Sequence, residues 1–230
     1  MTEIKMQKSL HHNHIVAFEH IFSDNEYVYI LLEICQNQTL HQILKRRKTL
    51  TEIEVQCYII QLIKGLIYLH NQRIIHRNLK LSNLFLNDKM ELKIGDFSFA
   101  TKMAYDGEKK RTICGNPNYI APEIIDGKSG YSYEVDIWAI GIIIYTLIIG
   151  KPPFESNNKE QIIENIKKVE FKIPEDVKIS LLSEKLINKI LVENPNKRPS
   201  LEEILMDDFF NQGVAIPKLM PSITLVIPHL

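Results

Sequence analysis

IHRNLKLSNLFLNDKMELKIGDFSFA, Ile75 to Ala100, is the stretch on which the reading of the chain turns. Two short apolar runs, Leu84–Leu86 and Leu92–Ile94, flank a turn signal at Asn87-Asp88. Runs of this kind around a turn predict a β-hairpin. Polar residues crowd its open end. His76, Arg77, Asn78, Lys80 and Asn83 precede the first run, and Asp96 follows the second. A hairpin sets its open ends side by side, so these groups are expected to meet. An amide and a carboxylate brought together there, Asn83 and Asp96, suit a hard cation such as Mg²⁺.

Composition bounds what surrounds the hairpin. The 230 residues are 45% hydrophobic and 24% charged, enough for one globular unit with a sizeable core and room for two lobes. Lys+Arg and Asp+Glu each number 28, so the basic footprint of a nucleic-acid binder is missing. Cys35, Cys57 and Cys114 are odd in number and form no C-x-x-C, which reads as reduced thiols of an intracellular protein. The opening MTEIKMQKS has no apolar centre and is not expected to be a signal peptide. The most apolar run, Ile137–Ile149, falls short of the roughly 18 residues a membrane span needs and predicts a buried helix. Neither a nucleic acid nor a membrane is expected as a partner.

Residues 76–98 resemble the catalytic and metal loops of protein kinases, H-R-D-L-x-x-x-N followed by D-F-G. They stand here as His76-Arg77-Asn78-Leu79-Lys80-Leu81-Ser82-Asn83 and Asp96-Phe97-Ser98, with Lys80 the variant typical of Ser/Thr kinases. The resemblance runs over nearly the whole chain, and polo-like kinases are the branch it is most similar to. It implies an α+β, protein-kinase-like fold: a remnant of the upper lobe over residues 1–34, a mostly helical lower lobe over 35–210 and a tail over 211–230. It implies ATP and Mg²⁺ as cofactors and proteins as substrates or partners. Two departures fall where the chemistry belongs. The family's catalytic Asp is Asn78, and the Gly of D-F-G is Ser98.

Upstream of the loop, residues 1–10 are expected to be helical, with Ile4 and Leu10 facing inward. By resemblance Glu3 falls at the family's helix glutamate, but it is expected to be a solvated acid near a helix start. His11-His12-Asn13-His14 lacks a carboxylate or Cys partner and reads as a helix–strand connection. Ile15–Phe22 and Tyr27–Ile34 are predicted strands around the turn Ser23–Glu26. The second is nearly all apolar, as in a strand buried on both faces. Through the resemblance, Leu32, Glu33 and Cys35 lie at the hinge that meets adenine, and Phe85 forms the pocket floor. The bare residues fit plain core packing for Leu32 and Phe85 as well. No G-x-G-x-x-G occurs in the sequence. The expectation is that the phosphate-covering loop and the strand lysine of the family are absent.

Thr39-x-x-Gln42, Thr51-x-x-Glu54 and Ser200-x-x-Glu203 are capping boxes, each opening a helix. Apolar residues at 55, 58, 59, 62, 63, 66 and 69 predict one buried face for the second helix. Tyr133–Ile149 is the expected central helix, stopped at Gly150, and helices follow at about 159–169, 180–191 and 201–208. The segment YDGEKKRTICGNPNYIAPE, Tyr105 to Glu123, resembles the polo-like activation segment. In that likeness Thr112 is the phosphorylation switch for an upstream kinase, and Arg77 is its phosphate partner. Asn116 replaces a Thr that bonds the catalytic Asp and the lysine. Asp136 holds the catalytic loop, and Arg198 pairs with Glu123.

The activity implied is ATP-dependent phosphorylation of protein Ser/Thr, inside the cell, cytoplasmic or nuclear, with centrosome and spindle reached only by family analogy. Asn78 and the missing loop and lysine predict weak ATP binding and an impaired or inactive enzyme. Two alternatives stand beside it: a non-catalytic pseudokinase that binds proteins, and a truncated record of a longer kinase.

Overall fold

The computed structural model describes residues 3–226; Met1, Thr2 and residues 227–230, which the expected upper-lobe remnant and tail include, lie outside the described residues. The chain runs α1 (Glu3–Lys8), β1 (Phe18–Ser23), β2 (Val28–Leu32), α2 (Leu40–Arg47), α3 (Glu52–Asn71), β3 (Ile74–Ile75), β4 (Leu84–Leu86), β5 (Leu92–Ile94) and β6 (Thr101–Lys102). It continues through α4 (Pro122–Asp126), α5 (Glu134–Ile149), α6 (Lys159–Lys168), α7 (Leu181–Ile190) and α8 (Leu201–Leu205). Helices dominate from α2 onward, and the strands form three separate antiparallel pairs: β1–β2, β3–β6 and β4–β5. This is a protein-kinase-like α+β architecture.

All three capping boxes form. Thr39, Thr51 and Ser200 each accept the N3 amide while the N3 side chain returns to the cap. Each satisfies donors that a helix start leaves orphaned. The seven apolar positions on α3 are all buried. They pack across α5, which is buried along nearly its whole length. Gly141 lets α5 approach α7 closely, since a Cβ there would lie 2.7 Å from Leu191 Cδ2 and 2.8 Å from Ile190 Cγ2. Gly150 ends α5 in the left-handed region at φ +92°, donating its N–H to Thr146 O at 2.9 Å. Arg198 forks onto Glu123 at 2.6 and 2.8 Å and lies over the Trp138 ring, a buried pair that joins α4 to the chain ahead of α8.

Three expectations near the N-terminus are corrected. The inward face of α1 is Met6 and Gln7, followed by Leu10, while Ile4 is only half-buried. The helix is short, so its few contacts rather than a long repeat decide which side packs. The first strand starts at Phe18 rather than Ile15, because Ile15 instead makes a parallel bridge to Ile94. The third correction is the largest: β2 is exposed along its whole length instead of buried on both faces. Its partner β1 pairs one edge, and no described element covers its two faces. An apolar run shows what a strand could bury, whereas burial itself depends on what packs against it.

Candidate active site

The catalytic-loop stretch is held from below. Asp136, in the first turn of α5, accepts His76 N at 3.0 Å, Arg77 N at 2.9 Å and His70 Nε2 at 2.9 Å. Burial would raise this carboxyl, but the His70 hydrogen bond and charge, with those of His76, outweigh it and hold it below the usual range. Those two amide bonds fix Arg77 in the left-handed region, at φ +65°, where a non-glycine residue needs support. His76 is wholly buried, and Asn78 and Asn83 nearly so. The His76 Nε2–H donates to Gly95 O at 3.1 Å, its Nδ1 accepts Asn78 N at 3.3 Å, and Phe97 packs edge-on at 5.1 Å. Burial lowers its pKa, so the neutral tautomer braces the loop instead of entering the chemistry.

The hairpin pairs Leu84 with Ile94 and Leu86 with Leu92. Asn87 closes it, its Oδ1 accepting the amides of Lys89 at 3.1 Å and Glu91 at 2.9 Å. Its open end brings three of the expected residues together. Asn83 Nδ2 donates to Asp96 Oδ2 at 3.0 Å and to Asn78 O at 2.9 Å. Asn78 Nδ2 donates to the same Asp96 Oδ2 at 3.2 Å. Ser98 Oγ, at 2.5 Å, donates to Asp96 Oδ1. Asp96 therefore sits in a ring of neutral donors, with φ +60°. It is the Nδ2 of Asn83 that faces the carboxylate here, and Oδ1 makes no hydrogen bond among the described residues. One carboxylate and one amide oxygen fit Mg²⁺, which keeps several waters and is completed by substrate phosphates rather than by a protein cage. The metal would be held by Asn83 and Asp96, where it neutralises phosphate charge when bound. Asn78 can donate and accept hydrogen bonds, but it cannot take a proton.

The remaining expected residues lie around this point. Lys80 is half-buried and faces a groove of about 460 Å³ shared with Asn116, Tyr119, Thr146 and Lys151. Asn116 Oδ1 is engaged by Asn118 N at 3.0 Å, a local turn rather than a bond to Asn78 or Lys80. At the expected hinge, Glu33 N donates to Ala17 O at 2.9 Å, and its carboxylate takes Lys93 Nζ at 2.8 Å. Leu32 is exposed and Cys35 half-buried, its thiol pushed up to about 11 by burial. The Phe85 ring fills the space beside Gly95, where a Cβ would come within 2.9 Å of it. Glu3 is exposed, as expected, but not remote: partial burial first, then the Asp96 charge, raises its carboxyl. His12 stacks on Tyr68 at 4.9 Å, and His14 Nδ1 lies 3.0 Å from Leu92 O, so both serve the helix–strand connection.

Arg77 and Thr112 do not touch. Arg77 donates from Nε to Phe99 O at 2.7 Å and from Nη1 to Tyr131 Oη at 2.9 Å. Tyr131 Oη in turn donates to Thr112 O at 2.7 Å. Tyr131 and Lys93 escaped the sequence reading. Neither belongs to a spaced motif. A pairing signal existed only for Lys93, a lone charge inside an apolar strand.

Residues 1–210 match the family model described as Protein kinase domain, and the chain belongs to that family. Relatives place it further. A probable serine/threonine-protein kinase, CCRP1, of Zea mays is 58% identical over 228 residues, covering 99% of this chain and 36% of that protein. Serine/threonine-protein kinase PLK1 of Xenopus laevis is 51% identical over 226 residues, covering 98% and 37%. Serine/threonine-protein kinase polo of Drosophila melanogaster is 46% identical over 220 residues, covering 96% and 38%. The sequence is thus of the polo-like Ser/Thr protein kinase type, and it spans little more than a third of the length of these relatives. No helix of the described residues is long and apolar enough to cross a membrane.

Proposed function

We propose that this chain is a polo-like Ser/Thr kinase domain whose phosphoryl transfer is strongly impaired. The observation that carries the reading is Asn78. It stands at the family's base position, and its amide donates to Asp96 at 3.2 Å. A general base contributes typically 10²–10⁴-fold, or about 3–5 kcal/mol of barrier. Asn keeps the shape of Asp and loses both the charge and the proton acceptor. Asn83 and Asp96 retain the chemistry to hold Mg²⁺, and Leu32, Glu33, Cys35 and Phe85 the position to meet adenine. ATP and Mg²⁺ are then the ligands, bound weakly by this chain, since adenine would lie against an open β1–β2 ribbon. Substrates or partners are proteins, and Thr112, exposed on the activation segment, is accessible to an upstream kinase. The setting is intracellular.

Ser98 and Asn116 favour a second reading, a non-catalytic module that binds proteins. Both departures lie in the same small volume as Asn78, and both are engaged in local hydrogen bonds.

The test fuses the upper lobe of a polo-like kinase ahead of Glu3 and measures phosphate transfer to casein. Turnover is expected to be low with Asn78 and to rise about 10²–10⁴-fold with Asn78→Asp. Adding Asn116→Thr should raise it by more than the separate gains multiplied, because parts acting as a unit are non-additive. A fusion already fast with Asn78 defeats the impaired reading. A fusion inert in every combination favours the binding module.

A further inference from the structure

The activation segment is fastened at one residue outside it. Tyr131 lies in the link from α4 to α5 and is almost wholly buried. Its backbone N–H donates to Lys110 O at 2.9 Å, and its carbonyl accepts Lys110 N at 2.9 Å. Its phenol donates to Thr112 O at 2.7 Å and accepts from Arg77 Nη1 at 2.9 Å. Every polar atom of Tyr131 therefore goes to the segment or to the arginine beside the catalytic loop. Gly130 makes the approach possible. Its φ is +69°, and a Cβ there would lie 2.9 Å from Lys109 Cβ and 3.0 Å from Lys110 O. Cys114 Sγ, 3.8 Å from the phenol, closes the other side.

We propose that Tyr131 is a positioning residue that docks the activation segment onto Arg77 without a phosphate on Thr112. The phenol relays Arg77 to the Thr112 backbone, the link that a phosphate on the Thr112 side chain could otherwise make to the guanidinium. Burial, set against the nearby Arg77, raises the phenol pKa, so it keeps the proton it donates through the neutral range. A phosphothreonine has to compete for a guanidinium that is already held. The segment of this chain is ordered constitutively, and modification of Thr112 adds little order to it. The proposal rests on the kinase reading only for the identity of the segment.

The experiment is limited trypsin digestion of the full chain, read at Lys109, Lys110 and Arg111, with amide exchange of α5 followed in parallel. Tyr131→Phe keeps the ring and the backbone pairing and removes the relay. Cleavage is expected to accelerate roughly tenfold, as for loss of one or two hydrogen bonds, with α5 exchange unchanged. Phosphothreonine installed at 112 should restore protection in Tyr131→Phe, should change the parent little, and should fail to restore it when Arg77→Ala is added. Unchanged cleavage in Tyr131→Phe overturns the proposal. So does equal loosening of α5, which would make the phenol a general packing contact, and so does a phosphate that protects the parent as strongly as the variant. The readout is cleavage, so a fast enzyme would refute the impaired-kinase reading and leave this result standing.

Discussion

Two antiparallel ribbons, β1–β2 and β4–β5, have opposite fates. Leu84, Leu86, Leu92 and Ile94 of the second are 0% exposed, whereas Val28 to Leu32 of the first are 40–61% exposed. Composition separates them only in part: β1 carries Glu19, His20 and Ser23, but β2 is as apolar as β4 and β5. The second ribbon is short and lies against α3 and α2, so both its faces leave water. The first is held by its own ladder, by the Phe22–Tyr29 stack at 4.9 Å, and by a turn in which Asp24 takes the amides of Glu26 and Tyr27. Apolar area stabilises at about 25 cal/mol per Å² only where it is removed from water. The candidate site belongs to the ribbon whose apolar surface is packed away from water. Asn83 and Asp96 stand at its open end, so their separation is as fixed as the core beneath them.

The largest effect that could break this contrast is at Ile94. Ile94→Ala should cost about 2–5 kcal/mol, the transfer loss plus the cavity left behind. Urea denaturation of the full chain measures it. A cost under about 1 kcal/mol would mean the buried ribbon is loosely packed and the site above it adaptable.

The next is the tie between the ribbons. Lys93 on β5 reaches Glu33 just past β2, and Val16 N donates to Ile94 O at 2.9 Å alongside it. Lys93→Met leaves the half-buried Glu33 carboxylate with only Ala17 N at 3.1 Å. The expected cost is about 1.5–3 kcal/mol, the range for a hydrogen bond to a charged group. Amide exchange should quicken in β1–β2 and stay slow in β4–β5. Equal quickening in both would make the two ribbons one cooperative unit.

Acid is the third probe, and it acts on the closed side. Burial lowers His76, whose ordinary value is 6.5. Above that pH both folded and unfolded states are neutral, and the group contributes no slope. As pH falls below it, the unfolded chain binds a proton that the folded one refuses, and stability falls by at most about 1.4 kcal/mol per pH unit. His14, lowered mainly by burial, works in the same direction. Asp136, held below 3.8, contributes stability that is present above that pH and lost as pH falls through its lower folded value. Urea midpoints should be flat from pH 8 to 7 and decline from 6.5 to 5. A midpoint constant to pH 5 would mean His76 is reachable by protons in the native state.

The same contrast explains what could be read in advance. The β4–β5 strand limits, the three capping boxes, the α3 face and the meeting of Asn83 with Asp96 are local or periodic signals, and the chain follows them; the Arg198–Glu123 pair, 75 positions apart, came only through the family resemblance. Exposure of β2 was illegible because it depends on which surfaces meet the strand. Burial of His76 was illegible for a related reason: a polar residue beside a site goes inside only if Gly95 O and Asn78 N are there to satisfy its ring. Tyr131 carries no spacing signal at all, since its partners are 19 and 54 positions away in sequence.

The smallest predicted effect is the most exacting. Val28 is 61% exposed on β2, and Val28→Thr preserves its shape and β-branching while adding a hydroxyl. In a core the two residues are not interchangeable, because the hydroxyl needs a partner. On an open strand water supplies the partner, and Thr suits a strand about as well as Val. Little apolar area is withdrawn from water at that position, so little transfer energy can be lost. The expected change is within about 0.5 kcal/mol, as for surface substitutions remote from special contacts. The matched change Ile94→Thr places its hydroxyl where backbone neighbours are already paired, and it should cost several times more. If Val28→Thr destabilises as much as Ile94→Thr in the same urea titration, β2 is covered in solution, and the difference between the ribbons disappears.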